Sequence, residues 1–556
     1  MKSNHHCGIV AACSVVLLAL APNLGAQEAS SGKPIGAIQD WSQRQIVFSR
    51  DALAQHPDLV YREPRVLQQA LQRWQVPDWG RFYPHNSMAS PSSSKPASER
   101  DWSVPGLGGK LAANVFPAKF SINPQAPPDC VKDFVVFGLN IEGATGGQAN
   151  LIAFDNLYVN AQGTGFCSGT APKLYFAYNI STVAGGKITT SPVLSQDGTK
   201  IAFVEDIPAN AGLGITASSI LHVLTWTAGQ GAIGNAAPPS SMTSVTFSAT
   251  NEITSSPWID YGADTAYVGS ANGDLYQITG VFTASPTLSG PPDWPVTVSK
   301  NFALTSPVLD VIRGLVMVGS ANGALYQINT STSAVAKLQI GQTGGTTFGI
   351  IAPPIVDITN NTTFVVDADN GTSAVLVQVQ TSNLQVLSTG NIGLGSTTGT
   401  KLKLYQPAFS NAYYTKPSSG LVSVCGTGSG DSTPWQYTFG FTGAVMNTPA
   451  STSQQLLIST TAQCTGWTEF YNPNINGGTD FFFFGLTEDC DAAGTAGGCV
   501  AEIVGNTQPI SATAQVHSGP SGIVVDNYSL DIGASSIYFS ALSQDTVYKF
   551  TQNGLQ

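Results

Sequence analysis

VGSANGDLYQI (268–278) and VGSANGALYQI (318–328) lie fifty residues apart and differ at one position in eleven. Each string follows a Ser-Pro pair and a short apolar run, which begin at Ser256-Pro257 in the first copy and at Ser306-Pro307 in the second. A chain that repeats itself at this spacing is built from copies of one supersecondary unit. The unit predicts two strands, an Asn-Gly turn and a third strand.

The turn in each copy is an Asn-Gly pair, Asn272-Gly273 and Asn322-Gly323. Two-residue hairpin loops need positive φ at both central residues, which Asn and Gly tolerate better than other residues. After each turn, Leu-Tyr-Gln-Ile alternates in the manner of a strand with one buried face. We therefore expect a two-residue hairpin turn at both places.

Weaker copies of the unit recur along the chain, and most are opened by a turn that contains proline. These copies open at Ser191-Pro192, Pro353-Pro354, Gln406-Pro407, Thr448-Pro449 and Gly519-Pro520. One further unit, 133–180, lacks the proline signature. Repeats of roughly 40–50 residues with several strands each are typical of a β-propeller. The sequence predicts an all-β fold, a β-propeller of eight blades, or of seven if the first or seventh unit is split between blades.

Composition indicates an exported protein. The chain has 58 Gly and 33 Pro, and only 10% of its residues are charged, against ~25% in an average soluble domain. Residues 1–26 predict a signal peptide, with an apolar stretch from Gly8 to Leu20 and small residues before Gln27. A lipoprotein signal ending at Cys13 is the alternative. We expect a secreted, periplasmic or cell-surface protein.

Charge excludes two classes of partner. The formal net charge is −11 and no run of Lys and Arg occurs, whereas nucleic acids and anionic membranes are bound through clustered basic residues. Beyond the signal peptide, no segment approaches the ~20 apolar residues of a membrane span. The sequence predicts a monomer that binds no nucleic acid and does not cross a membrane.

Six of the eight cysteines lie outside the predicted signal peptide. An even number in an exported protein favours disulfide bonds, and six cysteines allow 15 pairings. No Cys-x-x-Cys pair is present that would favour zinc. Proximity in the repeats favours three pairs, Cys130 with Cys167, Cys425 with Cys464, and Cys490 with Cys499.

The sequence before the repeats lacks the strand pattern and is helical or linker-like in composition. We expect a helical N-terminal arm over residues 27–85, a Ser/Pro-rich linker over 86–100 and the propeller over 101–556. Arg65 to Val76 has one apolar face, and Ile38 to Ala54 is a weaker helical candidate. The favoured interpretation places the arm against the side of the propeller without further role. Docking of a partner or capping of the channel is the alternative.

Four aspartates occupy one position of the repeat, Asp260, Asp310, Asp357 and Asp526. A ring of carboxylates binds cations or performs acid–base chemistry, but aspartate at a strand end also accepts backbone N–H bonds in a turn. Because catalysis needs unlike neighbours, repetition favours the turn role.

Two acidic segments are candidate metal sites. Asp367 to Gly371 places carboxyl groups at alternating positions, as calcium ligands are placed, but it aligns with the ordinary hairpin of the repeat. Glu488 to Asp491 is the second candidate. His222 lies within a strand pattern, and His517 precedes a repeat opening. Neither segment nor either histidine is assigned a role, so the sequence predicts no catalytic, cofactor-binding or metal-binding residue.

The two best copies resemble the repeat of quinoprotein-like (PQQ-repeat type) β-propellers, in which a glycine, a small polar turn and a Leu-Tyr pair recur. The resemblance implies a blade architecture. Quinone dehydrogenases of that family carry vicinal cysteines, a Trp-rich blade signature and an acidic base with calcium ligands, none of which is matched here, so no cofactor is carried over. Together with DWSVPGLGGKLAANVFPAKFSINPQAPPDC (101–130), the pattern also resembles uncharacterised secreted bacterial propeller proteins.

Two hypotheses of function follow. The preferred one is a secreted, non-enzymatic binding or scaffold propeller whose rim loops contact a protein or glycan partner, helped by exposed aromatic residues such as Tyr413, Tyr414 and Trp467. The alternative is an extracellular enzyme with a site in the central channel, either a quinone-dependent oxidoreductase or a carbohydrate-active enzyme.

Overall fold

Consecutive stretches of the chain pair into eight separate sheets. The computed structural model describes residues 36–49, 55–73, 98–124, 127–160, 163, 165–342, 348–396, 402–472, 477–490, 497–505, 510–526 and 533–552. First strands of neighbouring sheets contact one another around a common axis. The fold is therefore an eight-bladed β-propeller, as the sequence predicted, and the seven-bladed alternative is wrong.

The strands are given in chain order. Two belong to the N-terminal arm and one precedes the first blade: β1 Ala37–Gln39, β2 Ile46–Val47 and β3 Ser98–Val104. Blades 1 and 2 contain β4 Ala118–Ser121, β5 Phe134–Gly138, β6 Leu151–Asp155, β7 Lys173–Tyr178, β8 Lys187–Ile188, β9 Val193–Leu194, β10 Lys200–Ile207, β11 Ser218–Thr225 and β12 Met242–Ser248. Blades 3 and 4 contain β13 Trp258–Asp260, β14 Thr265–Gly269, β15 Asp274–Thr279, β16 Thr287–Leu288, β17 Val296–Thr297, β18 Val308–Asp310, β19 Leu315–Gly319, β20 Ala324–Asn329 and β21 Val335–Gln339.

Blades 5 and 6 contain β22 Ile355–Asp357, β23 Thr362–Asn370, β24 Ser373–Gln380, β25 Val386–Leu394, β26 Ala408–Phe409, β27 Leu421–Thr427, β28 Pro434–Thr442, β29 Val445–Met446 and β30 Thr452–Gln455. Blades 7 and 8 contain β31 Thr468–Asn472, β32 Thr479–Glu488, β33 Gly497–Val504, β34 Ala512–Gln515, β35 Val524–Asp526, β36 Ser536–Ser540 and β37 Val547–Gln552. The helices are α1 Leu59–Arg62, α2 Pro64–Arg73 and α3 Asn411–Thr415, with short 3₁₀ turns at Trp41–Arg44, Ala211–Leu213 and Pro417–Ser419.

The ring closes inside blade 8. Its outermost strand is β3 from the beginning of the chain, which pairs antiparallel with β37 from the end. Lys549 on β37 and Asp101 on β3 form a fully buried ion pair of 2.6 Å. The two ends of the propeller are thus joined by backbone hydrogen bonds and by a charge pair.

The hairpin turns of the best repeats differ from the prediction. Strand β14 ends at Gly269 and β15 begins at Asp274, so the loop has four residues. Ser270 N–H donates to the carbonyl of Asp274, and only Gly273 has positive φ. The prediction of a two-residue turn with positive φ at Asn272 is wrong. The asparagine contributes through its side chain, which donates to the carboxylate of Asp274 (3.0 Å).

Two features of the structure require glycine at position 273. Its φ is +92°, and a Cβ there would lie 1.5 Å from the carbonyl oxygen of Ser299. We expect Gly273→Ala to lower the free energy of unfolding in urea by roughly 2–3 kcal/mol, from backbone strain together with overpacking. Gly146→Ala is the control, because its φ is +75° with nothing within 4 Å of the new Cβ. Its loss should stay near ~1 kcal/mol, and equal losses would contradict the steric argument.

The Ser-Pro signature links one blade to the next. Phe116 N–H donates to Oγ of Ser191 (3.0 Å), Ser191 N–H to Oγ of Ser256 (2.9 Å), and Ser256 N–H to Oγ of Ser306 (2.8 Å). A proline follows directly, before the first strand, and its missing N–H is tolerated at a strand start. Blades 1 to 6 share this proline, at Pro117, Pro192, Pro257, Pro307, Pro354 and Pro407.

Two blade borders need correction. The first blade begins at β4, before the predicted 133–180 unit, and it does have the proline. Thr448-Pro449 opens no blade, since it lies between β29 and β30 of blade 6. Blade 7 begins at Thr468, where Trp467 takes the place of the proline and stacks on Phe484 at 4.4 Å.

All three predicted disulfides are present. Cys130 is bonded to Cys167 within blade 1, and Cys490 to Cys499 across the β32–β33 hairpin. Cys425 on β27 is bonded to Cys464, which joins blade 6 to blade 7. None of the helices in the described ranges has the length and apolar character needed to cross a membrane.

Candidate functional site

The lower half of the central channel is occupied by the chain's own N-terminal arm. The channel arm denotes the described residues 36–49 and 55–73. The upper face is the side at which the first strands of the blades begin, and the lower face is the side at which they end. Strand β1 pairs antiparallel with β4 of blade 1, and β2 pairs parallel with β22 of blade 5. The arm therefore crosses the channel between opposite blades, through the 3₁₀ turn Trp41–Arg44.

This position corrects two predictions. The arm lies inside the channel, whereas the favoured interpretation placed it on the side of the propeller. Helices α1 and α2 are present, but the helical candidate Ile38 to Ala54 forms two short strands and a 3₁₀ turn over its described part. The free edges of β4 and β22 face the axis, and strands that satisfy them are favoured over a helix, which would leave buried backbone groups unpaired.

Arg65 of α2 fixes the arm to blade 3. Its guanidinium contacts the carboxylate of Glu63 at 2.7 Å and donates to the carbonyl of Ile259 at 3.2 Å. It also lies 3.9 Å from the ring centroid of Trp258, a cation–π contact. Trp41 of the arm packs edge-on against the same ring.

Glu469 of β31 is the matching anchor on blade 7. Arg73 contacts it through two nitrogens, at 3.0 and 2.5 Å, and Arg44 contacts it at 3.1 Å. Arg73 and Glu469 are each 2% exposed. Arg73 also donates to the side chain of Asn411 and lies over the ring of Tyr414. One buried carboxylate thus holds both ends of the described arm.

A second carboxyl group lies beside Glu469. Burial raises the pKa of Asp480 to about 8, and the Glu469 carboxylate adds to the shift by repulsion. Asp480 accepts a hydrogen bond from Asn411 N–H at 2.8 Å. At neutral pH, Asp480 is therefore protonated, and Arg44 and Arg73 contact the neighbouring carboxyl group of Glu469.

The protonation of Asp480 makes stability depend on pH. Between about pH 4 and 8 the unfolded chain has lost this proton and the folded chain keeps it, so the free energy of unfolding falls as pH rises in that window. We expect Asp480→Asn, whose side-chain oxygen can still accept from Asn411 N–H, to remove this slope and to stabilise the protein by on the order of 5 kcal/mol at pH 8. Urea denaturation at pH 5 and pH 8 measures it. An unchanged slope would contradict the assignment.

The contact between the arm and the channel wall has both favourable and unfavourable contributions to its free energy. Burial of Trp41, Ile46 and Phe48 contributes roughly 2 kcal/mol each before other terms. The side-chain amides of Gln39 and Gln68 and the indole N–H of Trp41 are buried without a partner among the described residues, which costs about 1–3 kcal/mol per group. These terms are of similar size. The ion pairs and the two strand pairings therefore decide whether the arm stays bound.

The upper half of the channel is a cavity, named here the upper bowl. It has a volume of about 570 Å³ and is lined by the loops that lead into blades 1 to 6. A second cavity of about 220 Å³ adjoins it and shares Ala113, Asn114, Lys403 and Tyr405. The described part of the arm thus lies in the lower half of the channel, and the bowl lies above it.

The bowl carries charges of both signs and two aromatic rings, those of Phe348 and Tyr405. Lys187, Lys403, Asp206 and Glu252 all line it, and Lys187 of β8 lies directly beside Asp206 of β10 in blade 2. Burial raises the pKa of Asp206, and the N–H of Ile253 and the charge of Lys187 oppose the shift. Burial raises the pKa of the half-buried Tyr405 phenol to about 12. This arrangement provides acceptors, donors and a flat ring for a polar ligand.

Two lining residues have unusual backbone conformations. Glu252 has φ 64° and Asn114 has φ 59°. Left-handed conformations are uncommon outside glycine, and they concentrate at binding and catalytic sites. The side-chain oxygens of Asn114 and Asn140 are buried without a partner among the described residues, so each can accept a hydrogen bond from a ligand.

The repeated aspartates lie at the lower ends of the first strands. Asp260 and Asp310 accept backbone N–H bonds from the turns that follow, at 2.9–3.1 Å. Asp357 accepts from Asn360 and from the hydroxyl of Tyr413. These three have the turn role. Asp526 differs, since it pairs with the buried Lys119 at 2.6 Å.

The remaining candidates are dispersed. His222 is buried in blade 2 between Glu205 (2.8 Å) and Ser244 (2.7 Å), and His517 is exposed. Burial raises the pKa of Asp367 to about 6, and one of its oxygens accepts from Asp369 N–H. Within the described ranges, no three His, Cys, Asp or Glu side chains are placed to hold a metal. Asp491 lies outside these ranges, as does the predicted signal peptide.

The predicted surface aromatics are buried. Tyr413 is 1% exposed, Tyr414 4% and Trp467 1%, so their proposed role in glycan contact is wrong. Each has an internal partner, and that of Tyr414 is Arg73 of the arm. Tyr405, which does line the bowl, was missed. The sequence feature that could have indicated Tyr405 is its position just before the Gln406-Pro407 opening. Residues at these openings lie at the upper face, where the loops into neighbouring blades meet.

Comparisons with known proteins find matches among solved structures alone. No protein-family model matches the chain, and no curated protein matches it. Among solved structures, BamB from Moraxella catarrhalis matches 82% of this chain and 98% of its own, at 12% identity and a TM-score of 0.44. The Dos1 propeller matches 82% and 95%, at 11% identity and 0.44. The WD40 domain of Toxoplasma gondii coronin matches 82% and 84%, at 10% and 0.36. At these scores the likenesses carry no argument, and the fold rests on the eight sheets themselves.

Proposed function

We propose that the protein is an exported, non-enzymatic binding propeller that presents the upper bowl and the loops around it to a protein or glycan partner. One observation carries this proposal: the described arm lies in the lower half of the channel, and the upper half holds a cavity of about 570 Å³. That volume is in the range of ligand pockets, about 300–1,000 Å³. The charges, the two unpaired asparagine oxygens and the ring of Tyr405 support a polar ligand.

Export is part of the proposal. It is supported by the signal peptide predicted at 1–26 and by the three disulfides, since disulfides form and persist in oxidising compartments. The finer assignment to the quinoprotein-like type, without its cofactor, is likewise proposed from the repeat. The upper bowl is expected to bind its partner within a single copy of the chain, the monomer that the sequence predicts.

Pull-down from a native extracellular extract and a glycan array test the proposal. Lys403→Glu at the bowl should lower the signal at least tenfold, whereas Lys337→Glu on the exposed outer strand β21 should leave it unchanged. Equal effects of the two variants, or no retained ligand in either format, would contradict the proposal.

The alternative, an enzyme in the central channel, is tested beside it. A turnover screen with polysaccharides, and with quinone plus calcium, is run on the wild type and on Asp206→Asn. If the wild type turns over a substrate and Asp206→Asn does not, the function of the bowl is catalysis and the binding proposal is wrong.

A further inference from the structure

The channel arm keeps much of its own shape. The side chain of Gln69 accepts from Phe48 N–H at 3.1 Å and donates to the carbonyl of Ile46 at 2.5 Å. Arg65 Nε donates to Oγ of Ser42 at 2.6 Å. These bonds join α2 to the strand segment inside the arm, so the arm can move between channels as one preorganised ligand.

The wall that receives the arm belongs to other parts of the chain. The arm pairs with the edges of β4 and β22, and its arginines contact Ile259 of blade 3 and Glu469 of blade 7. No disulfide joins the arm to a blade in the described part of the chain. Every one of these contacts can be made equally well by the arm of another molecule.

The arm is also an imperfect fit. The amides of Gln39 and Gln68 and the indole N–H of Trp41 are buried without partners among the described residues, and most buried polar groups in proteins have one. These unpaired groups offset the apolar burial of the same arm. A ligand bound in this way dissociates more readily than a piece of a close-packed core.

The connection to the body is long. Twenty-four residues, 74–97, separate the end of α2 from the start of β3. A chain of that length spans at most about 80 Å, so the covalent connection favours the molecule's own channel without excluding a neighbouring one. The arm therefore occupies its own channel in dilute solution, and at high protein concentration a neighbouring channel competes.

We propose that the lower half of the channel is an exchangeable binding site for an arginine-bearing arm, and that its partner is the arm of a second copy of this chain. Reciprocal exchange gives a closed dimer in which each channel holds the other molecule's arm. Such exchange adds no new interface chemistry, because the contacts are those seen within one chain. The site lies opposite the upper bowl and is independent of its ligand.

Two exposed positions report which channel an arm occupies. Arg62 on α1 is exposed, and a Cβ placed on the exposed Gly262 would lie 3.2 Å from its Nε. One full-length preparation carries Arg62→Cys and the other Gly262→Cys. They are mixed and treated with a short bismaleimide, which traps exchanged arms irreversibly. We expect a two-chain product that grows with protein concentration.

Three controls accompany this experiment. Arg62→Cys mixed with Val386→Cys, an exposed position on β25, should give at least tenfold less two-chain product. The double variant Arg62→Cys/Gly262→Cys should link within one chain in dilute solution, and the wild type gives the background. A mixture no more reactive than the Val386→Cys control would overturn the proposal.

A second measurement does not depend on the reach of the cross-linker. A labelled synthetic peptide of residues 35–73 is incubated with the full-length protein, and its fluorescence anisotropy is followed. We expect the anisotropy to rise slowly as the peptide replaces the resident arm, and a peptide with Arg44→Ala and Arg73→Ala to bind at least tenfold more weakly. No binding of the unmodified peptide up to about 1 mM protein would also overturn the proposal.

Discussion

Glu469→Ala is expected to detach the channel arm from blade 7. The substitution leaves Arg73 buried without its carboxylate, and removal of one partner of a buried pair costs about 3–5 kcal/mol. Arg44 loses its contact at the same time. The energy of opening the arm falls by that amount, which increases the open population about 10²- to 10³-fold.

Hydrogen exchange measures this effect. Amides in residues 36–49 should lose protection by the same 10²- to 10³-fold, while amides of β19 in blade 4 keep theirs. Glu488→Ala is the matched control, because Glu488 is an exposed glutamate on the same blade. Unchanged protection of the arm in Glu469→Ala would show that the strand pairings with blades 1 and 5 hold it without the ion pair.

Asp101→Ala is expected to open the ring at blade 8. Lys549 then loses the carboxylate that contacts it directly, while its fully buried Nζ still donates to the carbonyl of Gly533 at 2.7 Å. Burial lowers the pKa of Lys549, and Asp101 opposes that shift. We expect the free energy of unfolding in urea to fall by about 3–5 kcal/mol.

The double variant Asp101→Leu/Lys549→Met separates charge from packing. Replacement of a whole buried pair by apolar residues is often neutral or stabilising, so it should recover most of the loss. Arg100→Ala, a change at the exposed neighbour on β3, should stay within ±0.5 kcal/mol. A double variant as unstable as Asp101→Ala would mean that the hydrogen bonds of the cluster matter more than its charges.

The repeat predicted the architecture because each blade is specified by residues that lie close together in the sequence. Each Ser-Pro opening and each apolar run specifies a strand and the link to the next blade, so eight units give eight blades. Thr448-Pro449 misled the assignment because a proline also fits the edge of an outer strand. The start of blade 7 was placed too early because Trp467, by stacking on Phe484, takes the position that proline has in the first six blades.

The position of the arm could not be predicted in the same way. Periodicity shows that α2 has an apolar face, but it does not show which surface covers that face. The decisive contacts join residues hundreds of positions apart, such as Arg73 with Glu469. Burial of Tyr413 and Tyr414 has the same cause, since α3 packs where the arm and two blades meet. The upper bowl, too, is composed of loops whose sequences share no motif.

The pairing of β3 with β37 sets the order of events during synthesis. Strand β3 is complete at Val104, but its partner begins only at Val547. At 5–20 residues per second the chain needs roughly 20–90 s to supply that partner. Throughout this interval the edge that β3 will cover does not exist, and β3 itself is an unpaired strand able to associate with other chains. The newborn protein is thus most vulnerable to aggregation just before its last strand is made.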